Sequence, residues 1–158
     1  MDEGCTSIVG IGNELRGDDA IGGFIVSLLE KDRDFADDGG IKLYNAGQDP
    51  FSIISIIEKS ERVIIIDCAM MNRNPGDYEI MDYEGIKHNK DHLRFLHSFS
   101  VADAVSIGLE LYPGRDIRFI GIQPKNTAVK LGISPELLSR TGKIIKCIKN
   151  LVREKRDE

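Results

Sequence analysis

Four β-branched residues in a row, Val63-Ile64-Ile65-Ile66, closed by Asp67, restrict the fold of this 158-residue chain more than any other feature. A strand that is apolar on both sides must be covered on both sides, as in parallel sheets sandwiched by helices. Helical stripes lie on either side of it in sequence. Ile21, Phe24, Ile25, Leu28 and Leu29 repeat at helical spacing before it, and Ile144, Cys147, Ile148, Leu151 and Val152 do so near the end. Residues 6–12 and 41–45 predict the first two strands, and Pro50 opens a helix through Lys59. Turn chemistry at 72–76 leads into an alternating edge strand over 77–82. Residues 84–99 hold all three histidines with weak periodicity, and predict an irregular loop with one helical turn. Ser100 and Asp103 form a capping box for a helix reaching Leu111. A fifth strand follows at 117–122, and Ser134-Pro135 opens the terminal helix. The β-α-β-α-β order predicts one α/β domain over residues 1–158, a mostly parallel sheet in an α/β/α sandwich.

Charge and cysteine usage exclude several function classes. A net charge of -5 speaks against nucleic acid, and the basic residues from Lys143 to Arg156 alternate with Ile, Leu and Val as the wet face of a helix. Cys5, Cys68 and Cys147 are odd in number and far apart, which argues against disulfides, zinc knuckles and Fe–S ligation. Their usage and the acidic start, Asp2-Glu3, predict a cytoplasmic protein without a signal peptide. No apolar run reaches the roughly 18 residues of a membrane span.

Ligands of an open parallel sheet bind beyond the carboxyl ends of the strands, where strand order reverses. Asp18-Asp19 follows the first strand by one short loop, and Asp67 closes the third. If those strands are neighbours, the carboxylates converge, and either a proton or a cation must relieve their repulsion. Asp19, Asp67 and one imidazole would suit a divalent transition metal. Equally, Asp18 or Asp19 could cap the next helix, and Asp67 could simply end its strand. His88 and His92 sit in a lysine-rich stretch and are expected to be exposed. His97, between Phe95-Leu96 and the capped helix, is either a ligand or a structural residue. A dinucleotide site is rejected: Gly10-x-Gly12 lacks its third glycine, Leu15 standing there, and Asn45 replaces the acid that would bind ribose. No GxSxG elbow exists, and Cys68 reads as a buried core thiol.

The order of these segments carries a resemblance. The stretch Gly10-Ile11-Gly12-Asn13-Glu14-Leu15-Arg16-Gly17-Asp18-Asp19-Ala20-Ile21-Gly22 resembles the opening motif of the hydrogenase maturation endopeptidases. Val63 to Ala69 is similar to their central strand and its acid, and Asn74-Pro75-Gly76 to the segment that follows. His97-Ser98-Phe99-Ser100-Val101-Ala102-Asp103 resembles their histidine motif, and Phe119-Ile120-Gly121-Ile122-Gln123-Pro124 their last strand. The blocks are collinear from about Ser7 to the terminal helix.

This resemblance implies a phosphorylase/hydrolase-like α/β/α fold whose five-stranded mixed sheet has an antiparallel fourth strand. It implies Asp19, Asp67 and His97 as metal ligands and catalytic residues of a metal-dependent endopeptidase. The substrate would be a hydrogenase large-subunit precursor, nickel the ion sensed, and a short C-terminal extension the piece removed. Nickel would arrive with the precursor, and another divalent metal could fill the site of the isolated protein, expected to be a monomer. Asp18, beside a ligand, is a candidate base or support for the site. The sequence departs from the family at Asn45-Ala46-Gly47-Gln48-Asp49, where a Gly-Gly-Thr or Gly-Gly-Ser turn is usual. It departs again at residues 98–101, where many members carry Leu-Gly or Pro-Leu. Two rivals remain at this stage: a metallopeptidase with resident zinc, and a metal-sensing chaperone that does not cut.

Overall fold

A computed structural model describes residues 4–88, 94–95 and 98–154. Its strands are β1 (Thr6–Ile11), β2 (Ile41–Gly47), β3 (Arg62–Met70), β4 (Tyr78–Asp82), β5 (Arg94–Phe95) and β6 (Asp116–Ile122). Its helices are α1 (Ile21–Glu30), α2 (Arg33–Ala36), α3 (Ser52–Lys59), α4 (Tyr83–His88), α5 (Ser98–Leu111), α6 (Pro135–Leu138) and α7 (Thr141–Glu154).

The main sheet runs β2-β1-β3-β6-β4. The first four of these strands are parallel, and β4 pairs antiparallel with β6 at the edge, as expected. Period-two alternation sorts the central strand between two apolar layers. Val63 and Ile65 pack with Ile53 and Ile57 of α3 and Ala104 and Val105 of α5. Ile64, Ile66 and Cys68 pack on the opposite side with Ile21 and Ile25 of α1 and Ile144 and Ile148 of α7. β1 lies between β2 and β3, so the reversal of strand order falls at the β1–β3 boundary, where their carboxyl ends part.

Several expectations need correction. Asp67 does not end its strand: β3 continues to Met70 because its last residues pair with β5, Ala69 with Phe95 and Met70 with Arg94. That pairing was invisible in sequence because two residues give no alternation to read. The helical turn expected within residues 84–99 is α4, which starts one residue earlier, at Tyr83. α5 begins at Ser98, so Ser100 lies inside the helix instead of capping it. Asp18 and Asp19 do not cap α1; they sit in a 3-10 turn, Gly17–Ala20, and Ala20 precedes the helix with no side-chain cap. The terminal helix is two helices, broken at Ser139-Arg140.

Candidate active site

The glycines of the first loop set the geometry at the carboxyl end of the sheet. A Cβ on Gly10 would lie 2.4 Å from the Gly22 carbonyl oxygen, and one on Gly22 would lie 2.5 Å from the carbonyl oxygens of Ile11 and Ile66. Only glycine lets α1 approach β1 and β3 this closely. Gly12 has φ +149, and a Cβ there would meet the Asp19 carbonyl oxygen at 1.9 Å. The chain therefore turns sharply off β1 and lays the 3-10 turn over the strand ends. The glycine pattern thus serves a tight turn and close helix packing.

Two carboxylates are buried at that end of the sheet. Asp19 and Asp67 are each 1% exposed. The last β1–β3 pair is Gly10 with Ile66, so Asp67 is the first β3 residue past β1's pairing. Its Oδ1 accepts from the Cys68 N–H at 2.8 Å, and Asp19 Oδ2 accepts from the Asn13 N–H at 3.0 Å. The Cys68 thiol feels these acids. Burial first, then the charges of Asp67, Asp19 and Asp18, push it well above its ordinary value. It therefore stays protonated, wholly buried, and donates to the Asp18 carbonyl at 3.0 Å. Cys68 is the core thiol that the sequence suggested.

Asp18 faces a different partner. Its Oδ2 accepts from the N–H groups of Lys125 (2.8 Å) and Asn126 (3.1 Å) and from the Ser134 hydroxyl (2.9 Å). Its Oδ1 accepts from the Ser134 N–H at 2.6 Å. Burial pushes its carboxyl upward, but these bonds, Ser134 N–H foremost, outweigh it and hold the group below its ordinary value. A carboxylate so saturated is a weak base, and its role is to fasten the loop after β6. This sequence-distant partnership, more than 100 residues away, had no local signal.

Gln123 was also missed as a site residue. Buried after β6, its Oε1 accepts from the N–H groups of Met71 (2.7 Å) and Arg73 (3.4 Å), bracing the chain just past β3. His97 lies outside the described residues, as does His92. The flanking strand β5 pairs Phe95 with Ala69, two residues beyond Asp67, and α5 starts at Ser98. His88 is exposed and lies 3.8 Å from Glu84, away from any cluster of acids at the strand ends. Among the described residues, no three His, Cys, Asp or Glu side chains form a metal-sized group.

Comparison with known proteins decides the family. The sequence model of HycI, hydrogenase maturation protease, matches residues 24–151. The chain belongs to the hydrogenase maturation protease family. The protease is 32% identical over 124 residues to a Methanocaldococcus jannaschii protein assigned to the same family, covering 75% of this chain and 71% of that one. Two solved structures share its fold: HybD from Thermococcus kodakarensis, 24% identical, TM-score 0.80, covering 94% of this chain and 99% of that one, and HybD from E. coli, 20% identical, TM-score 0.82, covering 96% and 93%. The protein is thus a protease of hydrogenase maturation. The family match begins at residue 24, beyond Asp19.

Proposed function

We propose that this protease removes the C-terminal extension of a nickel-loaded hydrogenase large-subunit precursor in the cytoplasm. Asp19, Asp67 and His97 would be the ligands that recognise the nickel carried by that precursor. The observation behind this reading is the burial of two carboxylates at the carboxyl ends of adjacent parallel strands, where this architecture binds its ligands. Carboxylate oxygens are hard donors that suit a divalent cation, and a histidine would make the set borderline. Neither acid is offered a thiolate neighbour, because Cys68 keeps its proton and bonds to Asp18. Such a thiolate-free set, open to further ligands, need not retain an ion of its own.

Each carboxylate already accepts one backbone N–H, from Asn13 or Cys68, which stabilises its charge before a cation arrives. The nickel of the precursor would then act as a Lewis acid held beside the scissile bond. Asp18 is too committed to the loop after β6 to be the base, which leaves water activation to Asp19 or Asp67.

The test is to incubate the protease with nickel-loaded and nickel-free precursor and weigh the products. Cleavage of the loaded form alone is expected. Cleavage of both would favour a resident metal, and cleavage of neither would leave a metal-sensing chaperone.

A further inference from the structure

The most exposed large apolar side chains among the described residues are not scattered. Val129 (82% exposed), Leu131 (77%), Phe51 (68%) and Leu15 (60%) head the order, ahead of Leu111 (59%). The first four all lie in segments leaving the carboxyl ends of β1, β2 and β6. Three of them form one unit. Arg16 and Lys130 make a parallel bridge, and the Gly17 N–H donates to the Lys130 carbonyl at 2.8 Å, so the backbone of residues 15–17 runs alongside 129–131. Arg16 Nε donates to the Thr127 carbonyl at 3.1 Å, and the Asp18 N–H to the Asn126 carbonyl at 2.9 Å. Asp18's four side-chain bonds fasten both ends of the same loop. A surface loop tied this many times is held in place, yet it presents its apolar residues to water.

The unit is continuous with the carboxylates. The Leu15 N–H donates to Asn13 Oδ1 at 2.9 Å, and the Asn13 N–H donates to Asp19 Oδ2. A cleft of about 260 Å³ opens on the loop, lined by Leu131, Ile133 and Pro135 as well as Lys125 and Lys130. Contiguous exposed apolar surface beside a polar site marks a place where another chain is bound. A protease of this family must seat a protein chain against its site, and this wall is the apolar surface adjoining Asp19.

We propose that Leu15, Val129 and Leu131 form the wall on which the protease seats an apolar stretch of the hydrogenase precursor, next to the bond to be cut. This rests on the substrate assigned above and adds the residues that read it. The wall contributes affinity, and the carboxylates contribute the chemistry. Removing part of the wall should therefore raise KM and leave kcat alone.

The experiment pairs the wild type with the Val129→Ser/Leu131→Ser variant and measures binding and cleavage of the same nickel-loaded precursor. A rise of about tenfold in both Kd and KM is expected, with kcat within about twofold and an unchanged melting temperature. Val129→Ile/Leu131→Met should restore binding, because it returns apolar area without the original shapes. Unchanged Kd and KM in a wild type that cuts would overturn the wall and leave the assigned reaction standing. A wild type that binds without cutting would overturn the reaction, while a weakened serine variant would still uphold the wall. Binding by neither protein would overturn both. A change in sedimentation with no change in precursor binding would show instead that the wall joins two copies of this chain.

Discussion

The two ends of the sheet handle buried charge in opposite ways. At the amino end, Arg62 is buried at the start of β3, and its guanidinium meets Asp116 at 2.6 Å and the Leu151 carbonyl. Asp116 also receives Arg118 at 2.8 Å, and the buried hydroxyls of Ser7 and Ser60 pair at 2.7 Å. Positive and negative groups are matched there, and the cluster ties β3, β6 and α7 together. At the carboxyl end the buried charged side chains among the described residues are Asp18, Asp19 and Asp67, all of one sign. Backbone N–H groups hold them, but like charges drawn from water into one region oppose folding. The amino end pairs opposite charges, whereas the carboxyl end gathers anionic oxygens held by N–H and hydroxyl donors.

Neutralising one acid tests this contrast most severely. Asp67→Asn keeps the shape and an oxygen for the Cys68 N–H while removing the charge. Processing of nickel-loaded precursor should fall on the order of a thousandfold, equivalent to losing several kcal/mol of charge stabilisation. Thermal unfolding should stay level or move upward. A marked drop in melting temperature would mean that this carboxylate is a structural group like Arg62, and the contrast would fail.

The reciprocal change belongs at the other end. Arg62→Met removes the buried partner of Asp116, which keeps Arg118, so stability should fall by about 2 kcal/mol, less than for a fully buried broken pair because Asp116 is partly exposed. Activity per folded molecule should be unchanged. Urea denaturation beside the cleavage assay reads both quantities. Gly22→Ala should come next, costing about 1–3 kcal/mol as an overpacked contact against the carbonyls of Ile11 and Ile66. It should also lower activity, because α1 continues directly from the turn that holds Asp19. A fully active, fully stable variant would show that the close approach of α1 does not set the site.

Legibility in the sequence followed the same division. Val63 to Ile66 announced the central strand, because β-branched residues on successive positions can be buried only in a covered sheet. Ile25, Ile144 and Ile148 announced the helices that cover it, because their spacing fixes one face. Asp19 and Asp67 were visible as acids next to strand ends, a local property. Asp18 could be read from the sequence as a cap, a base or a support for the site, because the partners that separate these readings, Lys125, Asn126 and Ser134, lie more than 100 residues away. Gln123 escaped for a similar reason, since a buried amide looks like any other glutamine until its donors, the distant N–H groups of Met71 and Arg73, are known. β5 escaped because a strand of two residues has no period.

The pH dependence of stability offers a smaller test of the amino end. Burial pushes the Asp116 carboxyl up, but the hydrogen bonds from Arg118 and Arg62 and their charges outweigh it, and the group sits below its ordinary 3.8. A carboxyl lowered by folding stabilises the native state above its unfolded value and loses that contribution as pH falls through the folded value. Asp116→Asn should therefore cost about 1 kcal/mol at neutral pH, a modest figure for a pair partly open to solvent. The gap to the wild type should begin to narrow below about pH 4 and close as pH falls through the folded value. Urea midpoints measured from neutral pH to pH 3 check this, and a gap that persists at the acid end would assign the stabilisation to packing.

The smallest effect is expected at Cys68, which separates the chemistry of the carboxyl end from mere proximity to it. The thiol lies one residue from Asp67, and its sequence position invites a nucleophilic reading. Its surroundings argue against that role. The side chain is wholly buried, packs in the same apolar layer as Ile64 and Ile66, and directs its proton to the Asp18 carbonyl. A group turned into the core cannot reach a scissile carbonyl without unpacking that layer. Cys68→Ala removes one sulfur and one weak hydrogen bond, which should cost about 1 kcal/mol, comparable to other small core truncations. The alanine leaves the backbone N–H to Asp67 in place, so the carboxylate keeps its orientation. Processing should remain within about threefold of wild type, a factor worth less than 1 kcal/mol in barrier height. Loss of cleavage in a folded Cys68→Ala protein would transfer the reaction from the carboxylates to the thiol, and the one-signed charge at this end of the sheet would need another purpose.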